Sequence, residues 1–156
     1  MKKIILFLVA IVLTGQLYAQ RQSTANQQAV QQTVIKLFRA LSNRDSISLK
    51  NCSIADISLY EYGQVWNIDT LILKAITLNQ SADFKRTNSF EFINTTVDKN
   101  MALVNYSLQS VIFKDGKQTT LQWLETVVLV REKKPAYRTG RQWKIKHLHS
   151  TLIKRS

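Results

Sequence analysis

The 156-residue chain carries 45% hydrophobic residues and a formal net charge of +12, which is the size of one domain with a sizeable core. Cys52 is its only cysteine, so no internal disulfide can form. No glycine-rich phosphate loop, Gly-x-Ser-x-Gly, Cys-x-x-Cys or His-Glu-x-x-His occurs, which removes the best-known nucleotide, hydrolase and zinc signatures.

The N-terminus reads as a secretory leader. Lys2 and Lys3 precede an apolar run from Ile4 to Leu13, and Leu17-Tyr18-Ala19 closes the segment. The run is about half the length of a membrane-spanning helix. Cleavage after Ala19 is expected, with export to the periplasm or the exterior and no stable membrane insertion afterwards. Residues 20–28 are polar and read as a flexible lead-in to one domain spanning residues 29–156.

From Ala29, the spacing of Val30, Val34, Leu37, Phe38 and Leu41 predicts an amphipathic helix that stops at Ser42-Asn43-Arg44. Asp45 or Ser46 can cap a second, shorter helix through Ile47, Leu49 and Cys52, where the cysteine reads as a small buried apolar residue. Ser58 to Val65 alternates and is aromatic, which predicts a short strand or extended turn. Asn67 or Asp69 can cap a third helix ending before Asn79.

The remainder is strand-like. Phe84 to Thr95 is followed by a turn at Asp98-Lys99-Asn100 and then by Met101 to Phe113. Asp115-Gly116 is a strong two-residue hairpin signal before Thr119 to Arg131. A longer tip containing Pro135 and Gly140 leads to a last strand from Gln142 to Ile153. Helices followed by an antiparallel meander of four or more strands imply an α+β fold.

The stretch FRALSNRDSISLKN, a small strand-helix unit and a final QWKIKHLHST resemble the nuclear transport factor 2-like superfamily, and within it the SnoaL-like branch with its small exported members. The resemblance implies a strongly curved sheet wrapped around N-terminal helices as a cone, with a pocket at the open end. Glu125-Thr126 is similar to the penultimate strand of the association domain of calcium/calmodulin-dependent kinase II. Val127 stands where that domain carries a pocket arginine, and the hairpin before Trp143 is longer and more basic than is usual in the superfamily.

Strand alternation puts Trp143, Ile145, His147 and His149 on one face, and the apolar pair is expected to turn both histidines toward the concave side. His149, with His147 beside it, is then the candidate acid-base group, and Glu125 is its candidate partner because it shares parity with Trp123, Val127 and Leu129. Glu61 and Glu91, each between two aromatic residues, are further carboxylates whose charge burial would disfavour. A metal would need a third ligand that no further histidine supplies, so neither metal nor cofactor is expected. Tyr60, Tyr62, Trp66, Trp123 and Trp143 join the histidines as candidate pocket lining.

The opposite parity of the penultimate strand, Leu124, Thr126, Val128 and Val130, is also largely apolar, which predicts a homodimer formed through the sheet. Residues 131–156 hold nine basic residues against Glu132, among them the patch Arg131, Lys133, Lys134, Arg138 and Arg141. That patch is either a solvated hairpin tip or a contact for anionic polymer; export and the lack of an aromatic-basic motif disfavour nucleic acid. The sequence therefore favours an exported module that is structural or holds a small apolar or amphipathic ligand. An isomerase, dehydratase or cyclase using His149 with a glutamate, and an envelope protein holding anionic polymer, are the alternatives.

Overall fold

The computed structural model describes residues 24–133 and 141–156. The expected leader at 1–19 lies outside them, as do Lys134 and Arg138. Helix α1 covers residues 24–42. It buries Val30, Val34, Leu37, Phe38 and Leu41 along the expected stripe. Residues 24–28, expected to be a flexible lead-in, already belong to this helix. Their anchor is polar: Gln27 Nε2 donates to the Thr95 carbonyl and Gln31 Nε2 to Thr95 Oγ1, each at 2.9 Å. Apolar periodicity does not register that kind of tether.

Arg44 adopts a positive φ of 54° just before Asp45 caps α2, Ser46–Asn51, by accepting from the Ser48 N–H. Half-buried Cys52 is the C-cap, and desolvation raises its thiol pKa. Strand β1, Ser53–Glu61, starts five residues before the expected one and buries Ile54, Ile57 and Leu59. Tyr62 and Gly63, both at positive φ, turn it into β2, Gln64–Trp66. Asn67 caps α3, Ile68–Ile72, which runs on as a π-helical turn over Leu73–Thr77.

Four long strands complete the chain: β3 Lys85–Asp98, β4 Met101–Lys114, β5 Lys117–Lys133 and β6 Arg141–Arg155. The six-stranded sheet has the order β2-β1-β6-β5-β4-β3. Neighbours are antiparallel except β1 and β6, which run parallel. One face curls around α1, so that Val34, Leu37 and Phe38 pack with Val104, Tyr106, Leu129 and Ile145 in a single core. This is the expected α+β cone. Among the described residues, no helix is long and apolar enough to cross a membrane.

Gly116 sits in the β4–β5 turn at φ 71°, and a methyl group there would meet nothing within 4 Å. The cost of Gly116→Ala is therefore backbone strain alone, about 1 kcal/mol. Urea denaturation should read that loss, with an unchanged m-value.

Candidate ligand cavity

One row of side chains crosses the inner face. Register pairs Phe92 with Tyr106, Tyr106 with Glu125, and Glu125 with Ser150. Ser150 Oγ then reaches Glu61 Oε1 on β1 at 2.7 Å and Glu125 Oε1 at 3.0 Å. The Tyr106 hydroxyl donates to Glu125 Oε2. A single hydroxyl hydrogen cannot serve both carboxylates, so the two contacts are satisfied together when one carboxyl is protonated and donates to Ser150. Glu125 is that group. It is 3% exposed, and desolvation pushes its pKa up to about 7 against the opposing Tyr106 hydrogen bond, with repulsion from Glu61 adding to the rise. The chain of donors then runs from Glu125 through Ser150 to Glu61. Burial raises the Glu61 pKa as well, and the Ser150 hydrogen bond opposes that rise.

Two members of the row, Glu61 and Glu125, line a cavity of about 410 Å³. Aromatic walls come from Phe38, Tyr62, Trp66, Phe84 and Trp123, with Leu41, Leu71 and Ile112 between them. Tyr62 meets Trp123 edge-on at 5.4 Å and Trp66 at 6.2 Å. Arg86 enters from β3, donating to Asn88 Oδ1 and Ser110 Oγ at 2.9 Å each, with its guanidinium 5.5 Å from the Phe38 ring centroid. Desolvation lowers its pKa while the fields of Glu125 and Glu61 support its charge. Two lining residues keep buried polar atoms without a partner among the described residues: the donor Trp123 Nε1 and the acceptor Asn79 Oδ1. Glu61 Oε2 likewise makes no hydrogen bond there, so the carboxyl pair presents one free oxygen.

No protein-family model matches the sequence, and a search of curated proteins returns no match. Solved structures do match in shape. A conserved protein from Planctomyces limnophilus superposes with a TM-score of 0.71 at 13% identity, covering 83% of this chain and 99% of its own. A protein from Novosphingobium aromaticivorans, provisionally assigned as a scytalone dehydratase, gives 0.69 at 11% identity, covering 88% and 90%. A nuclear transport factor 2-like protein of unknown function in nutrient uptake, from Rhodospirillum rubrum, gives 0.61 at 16%, covering 80% and 98%. The fold is nuclear transport factor 2-like.

Within this nuclear transport factor 2-like cone, Tyr62, Trp66, Trp123 and Glu125 line the cavity. The two histidines do not. Leu129 pairs with Ile145 and Val128 with His147, so Lys146 is an extra residue and the parity of β6 inverts there. Trp143 and Ile145 stay buried on the inner face, but Leu148 and Ser150 take over the inward positions beyond the bulge. His147 and His149 turn to the outer face. There Ser58 Oγ lies 2.8 Å from His147 Nδ1, and the Tyr60 ring meets both imidazoles edge-on. Tyr60 thus lies outside the cavity too, and the expected Glu125–His149 pair is replaced by Glu125–Ser150. Trp143 packs under the Arg131 guanidinium rather than beside the ligand space. Glu91 is exposed on the outer side of β3.

Sequence reasoning missed Ser150 and Arg86. Arg86 shares parity with Asn88 and Phe90, a signal that was available. Ser150 carried none, because its inward position depends on the bulge. The basic patch is partly committed to the fold: Arg131 Nη2 donates to Asn26 Oδ1 at 2.7 Å and Arg141 Nη1 to Asn100 Oδ1 at 2.6 Å. The side chain of Lys133 lies outside the described residues.

A carboxyl whose pKa rises from 4.5 to about 7 on folding holds its proton more tightly when folded. Its contribution to stability is complete below about pH 4.5 and is lost as pH rises toward 7 and above. The wild type should lose roughly 3 kcal/mol over that window relative to Glu125→Gln, by the 1.36 kcal/mol that each pKa unit represents. Urea titrations of both proteins at pH 4.5, 6 and 8 measure it; parallel pH profiles would sink the assignment.

Proposed function

We propose that this is an exported small-molecule-binding domain whose cavity takes a ligand with an apolar body and a polar end that meets Glu61. The observation that carries the reading is the Glu125–Ser150–Glu61 chain opening into an aromatic cavity with one free carboxylate oxygen. The lysine-led apolar leader supports export.

The same chain favours a second reading, proton-transfer catalysis. A carboxylate held among apolar walls is a stronger base than in water. Glu61 can take a proton from carbon next to a carbonyl; the C–H electrons become a C=C bond and the carbonyl oxygen becomes an enolate. Return of the proton at another carbon is an isomerisation, and loss of a neighbouring hydroxyl is a dehydration. Either course resets the base, because Glu61 returns its proton to the new carbon in the isomerisation and to the departing hydroxyl, which leaves as water, in the dehydration. The assignment of the Novosphingobium aromaticivorans neighbour as a dehydratase is consistent with such chemistry in this fold.

The outer face supports a homodimer. Leu103 pairs with Val128 and Val128 with His147, while Thr126 pairs with the second histidine and Leu124 with Thr151 beyond it. Leu103 and Leu124 are exposed, and a sheet apolar on its outer side gains by covering it.

Two measurements check these readings. NMR in D2O should show the protein exchanging the α-protons of small cyclic ketones, with Glu61→Gln reducing the rate at least a hundredfold; wild-type exchange at the buffer rate would leave only the binding reading. Light scattering should give twice the protomer mass, and Leu124→Glu with Val128→Glu should give the single mass. A monomeric wild type would refute the dimer.

A further inference from the structure

The mouth of the cavity is built differently from its floor. β6 carries a second extra residue, Ile153, because Trp123 pairs with Leu152 and Gln122 with Lys154. That bulge restores the original parity and points Arg155 inward opposite Leu121, where both line the cavity. Arg155 is held in place by the backbone pair that follows it, Thr120 N–H to the Ser156 carbonyl at 2.7 Å and Ser156 N–H to the Thr120 carbonyl at 3.0 Å. Lys114 and Lys74 join it on the cavity wall, Lys74 resting 5.1 Å from the Trp66 ring centroid. The cavity continues over Ile112, Lys114, Leu121 and Arg155 into a neighbouring groove that adds Lys117 and Asp115. Among the described residues, Lys74, Lys114, Lys117 and Arg155 form no ion pair. The acids nearby are Asp115 and Asp83; Asp83 accepts from the N–H groups of Asp115 and Gly116, so its charge is turned onto the hairpin backbone.

We infer that the ligand is an amphipathic monoanion, entering with its neutral polar end toward Glu61 and leaving a carboxylate or sulfonate at the Lys114–Arg155 rim. This rests on the cavity reading of the preceding section. From the row of Glu125 to that of Leu121 is four residues, about 13 Å of strand, which suits two or three fused rings or a medium-length chain. A molecule charged at both ends would meet the carboxyl pair as a like charge, and a neutral one would leave the rim cations without a partner. Polarity along the cavity, a carboxyl pair at the floor faced by the single cation Arg86 and a group of cations at the mouth, selects the orientation as well as the class.

Two fluorescent probes with one aromatic skeleton test this: 1-anilinonaphthalene-8-sulfonate, which is an anion, and neutral N-phenyl-1-naphthylamine. At low salt the sulfonate should bind about tenfold more tightly, and the advantage should shrink at about 0.5 M salt. Lys114→Gln with Arg155→Gln should weaken the sulfonate about tenfold, near threefold per charge, and leave the neutral probe unchanged. Ala75→Trp, which fills the cavity, should abolish both signals. Equal affinity for the two probes, or indifference of the sulfonate to the double substitution, overturns the anion assignment and leaves the cavity reading standing. Failure of both probes to bind, or binding that survives Ala75→Trp, overturns both.

Discussion

The register shift at Lys146 decides which side chains of the last strand face the cavity, and the site follows from it. With Lys146 looped out of the ladder, Ser150 comes opposite Glu125, and its hydroxyl lies between two carboxyls. Without the shift, an imidazole would occupy that place and the row from Phe92 to Glu61 would be broken. A bulge also increases local twist. At the same point β1 changes register against β6, between Ser53 and Ser58, so the parallel pairing that closes the cone is bent there as well. Local curvature and the floor of the cavity are thus set by the same inserted residue.

Two carboxyls on the floor of an apolar cavity are a poor choice for stability. Burial of charge costs several kcal/mol unless it is paired, and neither Glu61 nor Glu125 has an ion-pair partner among the described residues. The fold offsets this by neutralisation rather than pairing: Glu125 keeps its proton to about pH 7, Tyr106 and Ser150 satisfy its oxygens, and Arg86 contributes only a field. A purely structural core would replace the row by apolar side chains of the same shape at little cost. Two carboxyls joined by a hydroxyl beside open volume are instead what the proposed site requires.

Element order and type were legible because they rest on local signals. The helical spacing of Val30 to Leu41, the Asp45 and Asn67 caps and the Asp115-Gly116 turn each act over a few residues. The inward position of Glu125 was legible for the same reason, since β5 keeps unbroken alternation from Leu121 to Val130. The final strand was not, because alternation predicts faces only while the ladder is regular. Lys146 and Ile153 have no side-chain property that marks a bulge; the misfit appears only when the neighbouring strand is in place. The β1–β6 parallel pairing was hidden likewise, being a contact between segments about ninety residues apart.

The two bulges of β6 together do what neither does alone. Unbroken alternation from Trp143 would turn His147, His149 and Arg155 inward. One bulge at Lys146 brings in Leu148, Ser150 and Leu152 but would turn Lys154 rather than Arg155 toward the cavity. The second, at Ile153, returns Arg155 to the inner face beside Leu121. The acidic floor therefore needs the first bulge and the cationic mouth needs the second. Between them the strand presents the histidines to the outer face, where they meet Ser58 and Tyr60. One strand thus supplies three surfaces of different chemistry, and each is assigned by backbone register rather than by which residues its sequence contains.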